Sequence, residues 1–125
     1  MKKILLVDDT PDLLENLTEL LRMEDYEVAG VVNGADALHQ LTSFKADMII
    51  TDLRMPVMDG FMLLEKLKVS SVFSSIPVAV FSANVTLENQ TKCFELGAIH
   101  VVKKPCSVEH ILQFLSTFFS ASKQD

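Results

Sequence analysis

The stretch ADMIITDLRMPVMDG, residues 46–60, decides the fold. Met48, Ile49 and Ile50 form an apolar run too short for a helix of ordinary length, so it reads as the middle of a buried strand. The run stops at Asp52, a carboxylate. The same thing happens at KKILLVDD, residues 2–9, where Ile4 to Val7 run straight into Asp8 and Asp9. Two further apolar runs end in Ser82 and in Lys104. One acid at a strand end can be chance. Several polar endings on buried strands ask for a common explanation.

Outward from this stretch the chain alternates between strand and helix patterns. Residues 3–7 are a strand. In TPDLLENLTELLRMED, residues 10–25, Thr10 suits an N-cap, Pro11 suits the first helical position, and Leu13, Leu14, Leu17, Leu20 and Leu21 recur at helical spacing. YEVAGVV is a second, more polar strand, placed nearer an edge. NGADALHQLTSF is a short helix with Ala35, Leu38 and Leu41 on one side. DMIIT is the third strand and DGFMLLEKLKVS the third helix. Ser74, Ser75 and Pro77 break the chain before VAVFS, the fourth strand. TLENQTKCFELG is a fourth helix, stopped by Gly97 in the C′ position. AIHVV is the fifth strand. SVEHILQFLSTFFS is the last helix, with Phe114, Phe118 and Phe119 mostly toward the core and one of them open to exposure. The tail ASKQD, from about residue 121, is polar and expected to fray.

Strands alternating with helices predict an α/β domain: one doubly wound, five-stranded parallel sheet with helices on both faces. Right-handed crossovers put every strand's C-terminal end on one edge, and ligands of such sheets bind beyond that edge. Asp8, Asp9, Asp52, Ser82 and Lys104 are therefore expected to share one site.

Composition narrows the function. The chain has 125 residues, 49% of them apolar, which fits a single domain with its own core, residues 1–125. Its formal charge of −6 and scattered lysines offer no basic stripe for direct nucleic-acid binding. No apolar run approaches the length of a membrane span, and the N-terminal run meets Asp8 too early for a signal peptide. Cys93 and Cys106 have no metal-ligand spacing and give no disulfide framework. A reducing cytoplasm is the expected location.

The chemistry of the expected site follows from its residue types. Three acids in one cleft repel each other unless a cation neutralises them. A hard divalent cation such as Mg2+ prefers carboxylate, water and phosphate oxygens. Lys104 supplies a fixed charge suited to a phosphoryl group, and Ser82 a hydroxyl donor. One carboxylate can then act as a nucleophile and become an aspartyl phosphate.

These residues resemble a known family. The pair Asp8-Asp9 after the first strand, TDLRMPVMDG around Asp52, FSA at residues 81–83 and KKP at residues 103–105 are similar to a response-regulator receiver domain of two-component signalling, over nearly the whole chain. The resemblance implies the flavodoxin-like strand order 2-1-3-4-5. It implies that Asp52 is the phosphoacceptor, taking a phosphoryl group from a histidine kinase or histidine phosphotransferase. Asp9 and Asp52 would ligate Mg2+ by side chain, Asp8 through water, and Arg54 by its backbone carbonyl. Ser82 and Lys104 would hold the phosphoryl group, and the peptide bond before Pro105 would be cis. Met55-Pro56 and Asp59-Gly60 resemble the loop after the acceptor, with Gly60 easing a turn. Such a domain is a signalling phosphoacceptor that assists its own phosphotransfer and dephosphorylation, rather than an enzyme with a separate substrate. Its partners would be the kinase, an output domain or target protein, and a second copy through helix four, strand five and helix five. One position departs from the pattern. Val101, three residues before the lysine, stands where the family often carries Tyr or Phe. A valine has no ring to swing, so the readout is expected to rely on Ser82, its loop and helix four.

Simpler roles compete for each residue. Asp8-Asp9 could serve only the dipole of the first helix. Ser82 could cap helix four, although Asn84 and Thr86 lie closer to it. Lys103 suits a solvated surface better than Lys104 does. His39, His100 and His110 lack ligand spacing and read as surface or packing residues. Other function classes fare worse. A contact-only module would not need all five polar positions. A haloacid-dehalogenase-like phosphatase would carry an acid where Arg54 stands. A flavin carrier would need a Ser/Thr/Gly-rich loop after the first strand, and no P-loop motif is present.

Overall fold

The computed structural model describes residues 1–55, 57–83 and 85–123, the side chains of residues 121–123 excepted. Five strands and five helices alternate: β1 Lys3–Val7, α1 Pro11–Met23, β2 Glu27–Val31, α2 Gly34–Gln40, β3 Met48–Thr51, α3 Gly60–Val69, β4 Val78–Ser82, α4 Leu87–Glu95, β5 His100–Lys103 and α5 Val108–Lys123. The strands form one all-parallel sheet in the order β2-β1-β3-β4-β5. The predicted fold class and strand order are both found, and the polar strand β2 is indeed an edge.

Alternation along each strand serves two cores. Leu5, Val7, Ile49, Val78 and Val80 face α2, α3 and α4, where Ala37, Leu64 and Cys93 meet them. Ile4, Leu6, Ile50 and Phe81 face α1 and α5, where Leu21, Ile111 and Leu115 meet them. Burial on both faces is why these strands read as unbroken apolar runs. His100, on β5, stacks on Phe114 with ring centroids 4.4 Å apart and 9° between planes. Burial first, and the neighbouring His110 second, hold its imidazole below the usual 6.5. It is a packing residue, as expected.

Local chemistry sets the helix ends, with some differences from expectation. Thr10 is the N-cap of α1 but makes no side-chain cap bond. Its amide instead donates to Asp8 Oδ1 at 2.9 Å, so the acid of the site organises the start of α1. Asn33, Asp59 and Thr86 cap α2, α3 and α4 by accepting from the amides of Asp36, Met62 and Asn89. Thr86 thus does the capping that Ser82 was considered for. Asn84 and Pro56 lie outside the described residues. Gly97 closes α4 with φ +102°, and its amide bonds Phe94 O at 3.0 Å. α2 stops at Gln40, short of Phe44 where the expected helix ends, and β5 starts at His100 rather than at Ala98. α5 continues to Lys123, beyond Ser120, while Gln124 and Asp125 lie outside the described residues. None of Phe114, Phe118 and Phe119 is exposed. Leu13 and Leu20, placed in the helical stripe of α1, are 43% and 39% exposed. The five leucines span a wider arc than the sheet covers.

Val57 sits in the loop after β3 with φ +69° and is 81% exposed. A β-branched residue in the left-handed region is strained, whereas asparagine tolerates it. Because Val57 buries little, Val57→Asn should raise the unfolding free energy by about 1 kcal/mol. Urea unfolding would show this as a higher midpoint at unchanged slope; a lower midpoint would mean the valine is held by packing.

Candidate functional site

The backbone ladder continues past the strands and fixes the polar residues on one edge. Asp8 N donates to Val31 O at 3.0 Å, Asp52 N to Val7 O at 2.9 Å, and Lys104 N to Ser82 O at 2.8 Å. Asp8 and Asp52 thus follow neighbouring strands, β1 and β3, at the point where the chain's winding reverses, the place where such sheets bind ligands.

The side chains converge there. One carboxylate oxygen from each of Asp8, Asp9 and Asp52 lies within 4.8 Å of the others. The Lys104 ammonium reaches into the group, 2.5 Å from Asp8 Oδ2 and 3.3 Å from Asp52 Oδ2. These three side chains are only 23%, 14% and 13% exposed for Lys104, Asp8 and Asp52, so their charges are poorly screened. Burial pulls the Lys104 ammonium down. The hydrogen bond to Asp8 and the charges of Asp52 and Asp8 outweigh it and leave the pKa raised. Lys104 is therefore a permanent cation at neutral pH. Lys103 is exposed, as its reading as the solvated lysine requires. The Lys104–Pro105 peptide bond is cis, as the resemblance implied.

Asp52 is held from two sides. Its Oδ1 accepts from the Leu53 amide at 2.6 Å, and its Oδ2 from Lys104. Each carboxylate oxygen keeps a further lone pair for a ligand. Ser82 ends β4 on the same edge and is fully buried. Arg54 is exposed in the loop beyond Asp52. Val101 pairs with Val80 in the sheet and packs against the core on the α4 side. The donor set around the acids is all hard oxygen, which fits Mg2+ and excludes a soft thiolate site.

Gly60 has a role that its reading as a turn residue missed. A Cβ placed there would lie 2.4 Å from Asp52 O and 2.9 Å from Leu53 Cα. Its amide donates to Leu53 O at 2.8 Å. The first turn of α3 is thus pressed directly on the backbone that carries Asp52, and only glycine permits that approach. Gly60→Ala should cost about 1–3 kcal/mol of stability. It should also weaken Mg2+ binding, since the clash is with backbone and must shift Asp52. An alanine variant with unchanged unfolding midpoint and metal affinity would show that α3 moves away freely.

The chain belongs to the response regulator receiver domain family, whose model matches residues 4–116. The transcriptional regulatory protein PrrA of Mycobacterium tuberculosis is 36% identical over 103 residues, 82% of this chain and 43% of PrrA. The hybrid signal transduction histidine kinase L of Dictyostelium discoideum is 34% identical over 93% of this chain and 7% of its own length. This chain thus spans less than half the length of these relatives. Among solved structures, the chemotaxis response regulator CheY4 of Vibrio cholerae superposes with TM-score 0.86 at 28% identity, covering 94% of this chain and 98% of that one. The receiver domain of a histidine kinase from Syntrophus aciditrophicus superposes with TM-score 0.89 at 30% identity, covering 100% and 95%.

Proposed function

We propose that this receiver domain is a switch set by Mg2+-dependent phosphorylation of Asp52, with the phosphoryl group supplied by a histidine kinase or histidine phosphotransferase. The observation that carries this reading is the clustering of three carboxylates at the sheet's C-terminal edge, two of them paired with the Lys104 ammonium. An Asp52 oxygen attacks phosphorus. The new P–O bond forms as the P–N bond of the donor phosphohistidine breaks, and the imidazole keeps the electron pair. Lys104 pairs with the incoming phosphoryl oxygens, and the Ser82 hydroxyl donates to one of them. Asp9 and Asp52 would hold Mg2+ by side chain, with Asp8 acting through water and Arg54 through its carbonyl. Bound Mg2+ would supply charge neutralisation at the phosphoryl oxygens. Hydrolysis of the acyl phosphate resets the domain, which acts on no separate substrate.

The readout follows from the face beside the site. Leu87, Phe94 and Ile99 are 82%, 46% and 43% exposed on and beside α4. They give α4 and the entry to β5 apolar surface, and we assign the face of α4, β5 and α5 to an output domain, a target protein or a second copy. With Val101 lacking a ring, Ser82 and the loop before α4 carry the change to that face. Among the described residues no helix is long and apolar enough to cross a membrane, and we place the domain in the cytoplasm, where its kinase presents phosphohistidine.

Intact mass after incubation with acetyl phosphate tests the reading. One added phosphoryl group with Mg2+, and none in a chelator, is the expected result. No gain in either condition, together with no Mg2+ binding by titration, would overturn it.

A further inference from the structure

Between α1 and α5, next to the acids, lies a cleft of about 430 Å³. Its floor is Leu6, Ile50 and Phe81 of the sheet. Leucines of α1 form one wall, and Cys106, Val108 and Ile111 form the other. Its mouth is Asp8, Asp52 and Lys104. The volume falls within the range of small-molecule pockets, and so does the layout of apolar walls with a few charged groups at one end. Leu13 and Leu20 on its rim remain 43% and 39% exposed.

We propose that this cleft binds a small cationic amphiphile, its apolar body lying between α1 and α5 and its ammonium or guanidinium head at Asp8 and Asp52. The head follows from charge. The mouth carries two carboxylates and one ammonium, a net charge of −1 before Asp9 is counted, so an anionic head is repelled and a cationic one is attracted. The body follows from the walls, where apolar side chains predominate and Asn16 and Thr51 are the uncharged polar residues among those lining the cleft. The head would stand where the proposed Mg2+ ligands point. Ligand and metal would then exclude each other, so the ligand would hold the switch off. That consequence rests on the metal reading above; the binding itself does not.

The test uses n-octylammonium as the probe, below its micelle concentration and without Mg2+, followed by amide chemical shifts and by calorimetry. Octyl sulfate and octanol are the comparators. Saturable binding of octylammonium, with octanol weaker and octyl sulfate absent, is expected, with shifts confined to α1, the start of α5 and the Asp8 and Asp52 loops. Octylammonium should also slow alkylation of Cys106 by an uncharged maleimide; Cys93 is fully buried and is not the reporting thiol. Leu13→Ser and Leu20→Ser alter rim residues that are already exposed and so spare the fold. Each should weaken binding about tenfold. Cys106→Phe, which fills the cleft, should abolish it. All three leave the net charge unchanged, so non-specific attraction of a cation to an acidic protein would be unaffected by them. Equal binding by wild type and variants would overturn the proposal, and so would binding of octyl sulfate at least as tight as that of octylammonium. Mg2+ should raise the apparent dissociation constant of octylammonium. If Mg2+ proves not to bind at all, the metal reading falls while the cleft, judged by the variants, stands.

Discussion

Asp52→Asn takes up no phosphoryl group from acetyl phosphate under conditions in which the wild-type chain gains one. The substitution is nearly isosteric, and the remaining side-chain oxygen can still accept from the Leu53 amide, a 2.6 Å bond in the native chain. The fold should therefore persist, and the loss is chemical: an amide oxygen is a poor nucleophile beside a carboxylate. The same variant should bind Mg2+ more weakly, because one of three converging anions has been removed. Without metal it should be no less stable than the native chain, since mutual repulsion among the acids falls with it. Intact mass and thermal unfolding with and without Mg2+ measure all of this. A phosphoryl gain at the wild-type level would move the nucleophile to Asp8 or Asp9, the other carboxylates within reach.

The site was legible in sequence because its residues sit where a strong pattern breaks. Ile4 to Val7, Met48 to Ile50 and Val78 to Phe81 are apolar on every residue, since both sheet faces are covered. A polar residue at such an end stands out, and parallel topology then places all the ends together. The features that stayed hidden depend on through-space contact. Nothing in DGFMLLEK says that a Cβ at Gly60 would strike Asp52 O, because that contact joins a helix start to a strand end. Nor does the leucine spacing of α1 reveal that Leu13 and Leu20 look onto an unfilled cleft. Helical periodicity reports which side is apolar; it does not report how wide the opposing surface is. Thr10 illustrates a third kind of miss. It has the residue type and the position of a cap but makes no side-chain cap bond, while its own amide donates to Asp8. Whether a side chain of the right type reaches an amide is decided by loop geometry, which residue type does not encode.

Lys104→Ala should separate the two duties that the lysine combines. In the native chain it lies between Asp8 and Asp52, neutralising carboxylates that are only 14% and 13% exposed. Removing it leaves three acids together with no other cation paired to them among the described residues. Severing a fully buried pair costs about 3–5 kcal/mol, and partial exposure reduces this to about 2 kcal/mol here. The cost should appear in urea unfolding without metal. It should shrink on adding Mg2+, which the variant binds at least as well as the native chain because a competing cation is gone. Phosphorylation should behave differently. The lysine is the protein's own positive charge at the phosphoryl oxygens, and removing one such preorganised group costs about 10²–10³-fold in rate. Mg2+ held by the acids would supply charge of its own, but it would not replace the hydrogen bonds that the lysine makes to the phosphoryl oxygens. The expected result is thus a variant whose stability Mg2+ restores and whose rate Mg2+ does not. If saturating Mg2+ restored both, Lys104 would be a counter-ion for the resting acids alone, and the charge on the transferred phosphoryl group would have to be met by Ser82 and the metal.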